Sequence, residues 1–397
     1  MKKSFVVCVV LAILFWGSTL GIYAEETAED PGSLYALSAV LMDADSGRVL
    51  YEKNGDEMRA MASTTKVMTC ILALENAPGD DYVVISSTAA AQPDVQMGVE
   101  AGEQYYLEDL LYAMMLSSYN DVAVAIAEHI GGTVGGFAEM MNEKAKEIGC
   151  TNTHFITPNG LDARDSEGPH RTTAKELALI MRYALNNKMF RAIMQKREFT
   201  FSDISKTKTY TAYNTNALLD MTDGVIGGKT GFTGDAGYCY EGAVEKGDKT
   251  FIVSLLGCGW PGNKTYKWKD TLKLLEYGEE NFHYETIWSE PELETVEVKN
   301  AVDETGLKGI VELNGKIVVS EETKEKKVLI KNGESVQCKV SMPEAISAPV
   351  TENMKLGSIS YYLNGECLME IPVRANTSIG KFDIYCCIEK VFHDYFG

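Results

Sequence analysis

Ala62-Ser63-Thr64-Thr65-Lys66-Val67-Met68-Thr69 opens the segment that decides the fold, and the segment continues to Glu75. Its apolar residues recur at helical spacing, which predicts a helix from about Ser63 to Glu75 with one buried face. Residues three positions apart share a helix face, so the Lys66 amine can reach the Ser63 hydroxyl. A serine hydroxyl is a weak nucleophile until a base takes its proton, and a lysine with a lowered pKa can be that base.

The Ser-x-x-Lys pattern is weak evidence by itself. The same chain contains Ser378-Ile379-Gly380-Lys381, which we interpret as a chance match at the edge of a β-rich region. Taken alone, Ser63 is explained better as a helix N-cap beside a surface lysine. Further motifs are therefore needed before Ser63 is assigned a catalytic role.

A second motif, Ser118-Tyr119-Asn120, falls between two predicted helices at Leu107–Leu116 and Asp121–Ile130. A loop at this point can present a hydroxyl and an amide to one cleft. Ser118 can relay a proton between Lys66 and a leaving amine, and the Asn120 amide can bind a substrate carbonyl and hold the lysine. The simpler alternative is that Ser118 or Asn120 caps the second helix.

A third motif, Lys229-Thr230-Gly231, follows Gly227-Gly228 at the start of a strand-like run. Lys229 offers positive charge to a substrate carboxylate, and a second cation also depresses the pKa of Lys66. Thr230 can hydrogen-bond the same carboxylate, and Gly231 allows a substrate backbone to approach the strand edge. The alternative is a glycine-rich turn leading into a strand.

Together and in this order, Ser-x-x-Lys, Ser-x-Asn and Lys-Thr-Gly are typical of penicillin-recognising serine enzymes. The sequence resembles the low-molecular-mass D-alanyl-D-alanine carboxypeptidases of that group, peptidase family S11, over most of residues 38–285. Further segments that resemble the family are Asp43-Ala44-Asp45-Ser46-Gly47, Asn120-Asp121-Val122-Ala123-Val124, Asn152-Thr153-His154-Phe155 and Lys229-Thr230-Gly231-Phe232-Thr233. Tyr119 departs from the family, which commonly has a small residue there, and this places the detail of substrate recognition in question.

The resemblance implies a role for each matching residue. Ser63 would form the acyl-enzyme and Lys66 would accept its proton, while Ser118 and Asn120 would complete the proton path and the substrate contacts. Lys229, Thr230 and Gly231 would bind the terminal carboxylate end of the substrate. The backbone N–H groups of Ser63 and Phe232 would form the oxyanion hole. The implied substrates are peptidoglycan stem peptides, with β-lactams as covalent inhibitors, and no metal or cofactor is expected.

The rest of the chain predicts two folded parts. A hairpin at 38–51, strands at 238–244 and 251–256 and further helices at 137–148, 172–185 and 270–277 indicate an α/β (α+β) catalytic domain over 37–287. With the resemblance, this becomes a β-lactamase/transpeptidase-like domain with an antiparallel sheet and a helical cluster. Short alternating runs over 290–378 predict a small all-β domain, with hairpins at Asn314-Gly315 and Asn364-Gly365.

The two ends of the chain have their own patterns. Residues 1–24 combine Lys2 and Lys3 with an apolar run, which predicts a secretory signal peptide, and residues 25–36 form an acidic leader. We therefore expect the folded protein to be exported, to the cell wall or the outer face of the cytoplasmic membrane. Residues 380–397 predict an amphipathic helix with an aromatic apolar face. It either makes peripheral contact with a membrane or packs on the protein itself.

Composition excludes some function classes. The 397-residue chain has a formal net charge of −20, and such a surface repels phosphate backbones, so nucleic acid is not expected as a partner. There are five histidines and no Cys-x-x-Cys pair, so a structural zinc site is not expected. His154 and His170 are interpreted as structural residues, because the Ser-Lys chemistry needs no histidine.

Three alternatives to a carboxypeptidase stay open. A serine β-lactamase needs rapid deacylation, often through a glutamate that positions water, and Glu139 lacks the usual Glu-x-x-x-Asn spacing. A binding protein or sensor would keep the fold without turnover, which the intact motif residues disfavour. A D,D-endopeptidase acting on cross-links would use the same machinery.

Overall fold

The computed structural model describes residues 30–77, 81–93, 95–303 and 305–396. The predicted signal peptide at 1–24 and the first part of the leader lie outside the described residues, so both stay predictions. In the described part, the chain alternates helices and strands up to about residue 286. Beyond that point it consists mainly of short strands.

The helices and strands have the following bounds. The α-helices are α1 (Lys66–Asn76), α2 (Ser87–Ala90), α3 (Leu107–Ser117), α4 (Asn120–Gly131), α5 (Val134–Ile148), α6 (Ala174–Ala184), α7 (Lys188–Gln195), α8 (Tyr266–Asn281), α9 (Glu321–Lys324) and α10 (Ile384–Phe396). The strands are β1 (Ser38–Asp43), β2 (Val49–Lys53), β3 (Tyr82–Val84), β4 (Gln104–Tyr106), β5 (Arg164–Asp165), β6 (Gly168–Pro169), β7 (Glu198–Ser202), β8 (Thr209–Tyr213), β9 (Val225–Thr233), β10 (Gly237–Lys246), β11 (Lys249–Leu256), β12 (Phe282–Thr286), β13 (Val296–Val302), β14 (Lys308–Leu313), β15 (Gly315–Ile317), β16 (Lys327–Lys331), β17 (Gln337–Ser341), β18 (Ala345–Ser347), β19 (Lys355–Leu363) and β20 (Glu366–Ala375). Short 3-10 helices span Ala62–Thr65 and Ala217–Asp220.

A five-stranded antiparallel sheet forms the centre of the first part, in the order β2-β1-β11-β10-β9. The predicted hairpin between β1 and β2 is present. All six residues of β1 are buried, because helices cover both faces of the sheet. Strand β9 is at one edge, so the Lys-Thr-Gly motif lies on a sheet edge facing the helical cluster.

The helical cluster packs against one face of this sheet, and α8 packs against the other. Helix α1 is buried from Lys66 to Ala73, which places it inside the cluster rather than at its surface. A helix that is apolar on most sides is stable only when other elements surround it. The predicted fold class, an antiparallel sheet combined with a helical cluster and followed by a small all-β part, is confirmed.

The two Asn-Gly pairs in the C-terminal part behave differently. Asn364 and Gly365 both have positive φ angles, 52° and 85°, and join β19 to β20 as the predicted hairpin. The hairpin predicted at Asn314-Gly315 is wrong, because β14 pairs with β13 while β15 pairs with β20. A tight two-residue hairpin of this kind requires positive φ at both positions, and this pair lacks it.

Contacts join the two folded parts. Strand β12 pairs antiparallel with β16, so a strand that ends at Thr286 forms a ladder with one inside the predicted β domain. Arg48 adds an ion pair in which its Nη2 lies 2.8 Å from each carboxylate oxygen of Glu334. The pairing crosses the predicted boundary near 287–290, so the exact division at 37–287 and 290–378 stays a prediction.

Helix α10 follows a short anchored segment. The Phe382 N–H donates to the Asn300 carbonyl, and the Asp383 carboxylate accepts from the N–H groups of Tyr385 and Cys386 at the start of the helix. The helix has 13 residues. Among the residues with described structure, no helix combines the length and the apolarity that crossing a membrane requires.

Candidate active site

Ser63 and Lys66 are adjacent at the point where the 3-10 helix Ala62–Thr65 continues into α1. Lys66 Nζ lies 2.9 Å from Ser63 Oγ, a hydrogen-bond distance. Ser63 is partly accessible, whereas Lys66 is fully buried. The predicted proximity of the amine and the hydroxyl is therefore present in the structure.

Lys66 has two further hydrogen-bond acceptors. Its Nζ donates to Asn120 Oδ1 at 2.9 Å and to the backbone carbonyl of Asn159 at 2.7 Å, while the Ser63 hydroxyl is 3.3 Å from the same carbonyl. Burial holds the pKa of Lys66 well below its usual range, and the nearby charge of Lys229 lowers it further, with Asp121 acting in the opposite direction. A lysine in this environment is suited to be neutral and to accept a proton.

Backbone packing fixes the position of Ser63. Ala62 has φ of 50°, a left-handed conformation that is uncommon for a residue with a side chain. Gly160 and Gly231 approach this segment from two directions, and a Cβ at either position would come within 3 Å of Ala62 or Ser63 backbone atoms. The segment that carries Ser63 therefore lies between two glycine backbones, one from the 150–173 loop and one from β9.

Ser118 and Asn120 sit at the junction of α3 and α4. Ser118 directly follows the last residue of α3 and has φ of 65°, and Asn120 is the first residue of α4. The N-cap position of α4 is Tyr119, and neither the Ser118 nor the Asn120 side chain caps this helix. Helix capping therefore does not explain the presence of Ser118 and Asn120. The Asn120 amide donates to the Pro93 carbonyl at 3.1 Å, which orients its oxygen towards Lys66.

Lys229 lies within β9, four residues after the strand begins, and is almost fully buried. Its Nζ donates to Ser118 Oγ at 2.9 Å and to the Thr230 carbonyl at 3.0 Å. Burial lowers the pKa of Lys229 to about 7, with the charge of Glu241 opposing that shift. The two lysines thus approach the cleft from the helical side and the strand side.

The remaining predicted residues follow Lys229 along β9. Thr230 Oγ1 lies 3.1 Å from Thr215 Oγ1, and both threonines border the open side of the cleft. The Phe232 side chain is 42% exposed and packs on Tyr238, with ring centroids 4.6 Å apart. Ser63, Lys66, Ser118, Asn120, Lys229, Thr230, Gly231 and Phe232 are thereby brought to one cleft between the helical cluster and the edge strand.

The two histidines make structural contacts. His154 Nε2 lies 2.9 Å from the Asp165 carboxylate. His170 Nδ1 accepts the Ile156 N–H at 3.0 Å, so Nε2 carries the proton and donates to Thr65 Oγ1 at 2.8 Å. Burial lowers the pKa of His170 to about 3, which keeps the ring neutral. His170 thus ties the 150–173 loop to the helix that carries Ser63.

Three residues at or near the site were not predicted. Asn159 contributes a backbone carbonyl, which no side-chain pattern reveals, although the Pro158-Asn159-Gly160 run indicates a tight turn. Gly160 contributes the close approach described above. Glu241 lies behind Lys229 on β10, and an acidic residue inside the apolar run 238–244 was a visible anomaly in the sequence.

Comparisons with known proteins identify the family of this chain. Residues 24–258 match a family described as D-alanyl-D-alanine carboxypeptidase, peptidase S11, and residues 313–381 match the C-terminal domain of penicillin-binding protein 5. The chain is 31% identical to D-alanyl-D-alanine carboxypeptidase DacF of Bacillus subtilis, over 91% of this chain and 90% of that protein. It is 30% identical to DacC of Escherichia coli, over 97% and 95% of the two chains.

Solved structures place the fold in the same class. Penicillin binding protein 5 from Haemophilus influenzae superposes with a TM-score of 0.66 at 27% identity, covering 89% of this chain and all of that one. The antiparallel sheet, the helical cluster and the appended β part together place the chain in the class of penicillin-binding-protein-like peptidases. The chain belongs to peptidase family S11, the D-alanyl-D-alanine carboxypeptidases, and is thus an enzyme of a hydrolase family.

Proposed function

We propose that this enzyme removes the terminal D-Ala from peptidoglycan stem peptides through an acyl-enzyme on Ser63. The observation that carries the proposal is the fully buried Lys66 amine, 2.9 Å from the Ser63 hydroxyl and adjacent to a second buried lysine. A neutral Lys66 takes the Ser63 proton as the oxygen attacks the carbonyl of the D-Ala-D-Ala bond. The backbone N–H groups of Ser63 and Phe232 stabilise the developing oxyanion.

The leaving D-Ala then needs a proton. Ser118 accepts a hydrogen bond from Lys229 and shares a junction with Asn120, which contacts Lys66, so its hydroxyl is suited to relay the proton from Lys66 to the amine. Lys229 and Thr230 bind the terminal carboxylate, and Gly231 lets the substrate backbone lie along β9. Water then attacks the acyl-enzyme to release the shortened peptide and restore Ser63.

Acylation by penicillin follows from the same groups. A β-lactam presents a reactive amide and a carboxylate, which match Ser63 and the Lys229–Thr230 pair. We include covalent inhibition by β-lactams in the proposal. A D,D-endopeptidase activity would use this cleft with a larger leaving group.

A serine β-lactamase is the second candidate, and the site favours it less. On the side of the 150–173 loop, Ser63 and Lys66 contact the Asn159 backbone carbonyl rather than a carboxylate. Glu139, the candidate from the sequence, instead lines a cavity of about 610 Å³ with His154, Asp165 and Arg171. A long-lived penicillin adduct is expected, whereas rapid penicillin turnover would support the β-lactamase.

The expected location is outside the cytoplasm, at the cell wall or the outer membrane face. Its support is the predicted signal peptide at 1–24 together with the peptidoglycan substrate. The N-terminal sequence of the secreted protein checks the cleavage predicted after Ala24.

The chain provides a matched pair of variants for testing the nucleophile. Ser63→Ala should abolish both penicillin labelling and D-Ala release from a defined pentapeptide, measured by mass spectrometry. Ser378→Ala removes the serine of the second Ser-x-x-Lys pattern, whose hydroxyl accepts the Glu352 N–H on the β part, and should keep both activities. Normal D-Ala release by Ser63→Ala would overturn the proposal.

A further inference from the structure

A row of polar side chains crosses the central sheet behind the cleft. Lys229 on β9 is directly opposite Glu241 on β10, and Glu241 is directly opposite Ser254 on β11. All three are buried, with relative exposures of 1%, 0% and 0%. Side chains alternate along a strand, and Cys239 and Ala243 belong to the helical-cluster core, so Glu241 faces the same side.

Glu241 has no hydrogen bond to compensate for its burial. In the described part of the chain, neither carboxyl oxygen has a hydrogen-bond partner, and the Ser254 hydroxyl also lacks one. An isolated buried carboxylate is costly unless a cation is close. The cation opposite is Lys229, and directly paired residues on antiparallel strands have Cβ atoms about 4.5–5.5 Å apart.

We propose that Glu241 is a positioning residue that acts through Lys229, whose ammonium it keeps charged so that the cleft can bind a substrate carboxylate. The inference rests on the proposed function, because it deepens the role given there to Lys229. Glu241 touches neither substrate nor the reacting atoms in this scheme. It sets the pH range over which Lys229 carries its charge.

Other ionisable groups near Glu241 leave Lys229 as its charged partner. On β10 itself, burial raises the pKa of Cys239 to about 12 and raises that of Tyr240, so both stay neutral. On α1, Lys66 has a lowered pKa and donates to Asn120 and the Asn159 carbonyl. The other ionisable side chains on α6 and α8 form hydrogen bonds with residues other than Glu241: Lys175 with Asp56, Glu176 with Thr151, Arg182 with Ala44, Tyr183 with Glu75, Lys267 with Lys264, and Asp270 with Ala36. On α7, Lys188 and Arg191 are exposed to solvent.

The direction of the effect follows from the charges. Burial raises the pKa of Glu241 well above its usual range and brings that of Lys229 down to about 7, and the charge of each group opposes the shift of the other. A neutral residue at position 241 removes this support, so the pKa of Lys229 should decrease further. Lys229 would then lose its charge at a lower pH, and carboxylate binding would weaken from that pH upwards.

The test compares Glu241→Gln with Glu245→Gln, the same substitution at an exposed position further along β10. Second-order acylation rates are measured from pH 5.5 to 9 with penicillin and with its methyl ester, which lacks the carboxylate. For Glu241→Gln, the rate with penicillin at pH 8 should fall about tenfold or more relative to wild type. The rate with the ester should fall less than the rate with penicillin, because the ester reports only changes at Ser63 and Lys66, and Glu245→Gln should match wild type with both compounds.

A second variant and a second measurement guard against misfolding and inactivity. Glu241→Leu also removes the charge, and an apolar side chain suits a buried site without hydrogen bonds, so it should fold and show the same shift. The pKa of Lys229 is measured directly by NMR of isotope-labelled lysine side chains, with Lys229→Arg identifying the resonance. An unchanged titration and an unchanged penicillin profile in both neutral variants would overturn the inference. Absence of acylation in wild type would instead reject the proposed function, while the NMR titration would still decide the role of Glu241.

Discussion

Single residues explain how the cleft can hold a base and a cation together. Burial lowers the pKa of both Lys66 and Lys229, and the charge of Lys229 lowers that of Lys66 further. In the proposed mechanism, Lys66 as the base must be neutral and Lys229 as the carboxylate-binding group must be charged. The proposed mechanism therefore requires the pKa of Lys66 to lie below that of Lys229, and the charge of Lys229 acts in that direction.

This pair predicts a bell-shaped dependence of kcat/KM on pH. On the acid side the rate should rise as Lys66 loses its proton. On the basic side it should fall as pH rises through about 7, because the pKa of Lys229 lies there and its charge is present only below it. The fall should approach tenfold per pH unit at high pH. D-Ala release from a pentapeptide at low substrate concentration measures the profile.

Lys229→Arg is the control for the basic side. An arginine stays protonated throughout this range, so the basic fall should disappear even though the maximal rate decreases. A wild-type rate that rises steadily to pH 9 would contradict the assignment of the basic side to Lys229.

A site residue can be predicted from sequence when its side chain carries the role, but not when its backbone or its position in a strand pairing does. The roles proposed for Ser63, Lys66 and Lys229 belong to side chains in short sequence patterns, so the sequence indicates these residues directly. Asn159 contacts Lys66 through its backbone carbonyl, and any residue could supply that group. Glu241 is important because of its register opposite Lys229, and register requires knowledge of the strand pairing.

At the level of secondary-structure elements, the 3-10 helix Ala62–Thr65 is held between a loop and a strand. The close approach of Gly231 predicts the effect of a single added methyl group. In Gly231→Ala the new Cβ would be 2.9 Å from the Ser63 nitrogen, so the segment that carries Ser63 must shift. A displacement near 1 Å should slow penicillin acylation about 100-fold. The free energy of unfolding should fall by about 1–3 kcal/mol, measured by denaturant titration.

Gly234→Ala is the matched control, since a Cβ there has no atom within 4 Å and the position lies just past the end of β9. It should leave both the acylation rate and the stability near wild type. Equal acylation rates in the two alanine variants would show that the approach of β9 does not position Ser63.

The two Asn-Gly pairs show when a local turn pattern is sufficient to predict a hairpin. Asn364-Gly365 forms its hairpin because the flanking strands are neighbours in one sheet. Asn314-Gly315 has the same residues, but β14 and β15 belong to different sheets. Gly315 is explained by close packing instead, as a Cβ there would lie 2.5 Å from the Val373 side chain. Strand order thus overrides a turn pattern that is correct elsewhere in the chain.

At the scale of the whole molecule, the chain ends in an apolar surface carried by α10. Segment 379–382 is bound to the β part through Val350, Ala301 and Asn300, so the helix begins from a fixed point. Large apolar side chains of the helix are exposed: Ile384, Tyr385, Ile388, Val391, Phe392 and Tyr395. This arrangement favours the membrane-contact alternative for 381–397 over packing on the protein, and we carry it forward as a proposal.

Vesicle binding tests that proposal. The full-length protein should bind neutral phosphatidylcholine vesicles and should bind anionic vesicles less well, because its net charge is −20. Ile384→Ser combined with Ile388→Ser should weaken sedimentation with neutral vesicles about tenfold or more, since two apolar side chains no longer enter the interface. Glu389→Ser, an adjacent exposed position, should bind as wild type does. Soluble-peptide turnover should be equal in all three proteins, because α10 follows the β part and contributes no residue to the Ser63 cleft. If the double variant instead kept vesicle binding and unfolded at a lower temperature, the apolar face of α10 would be a packing surface for the protein itself.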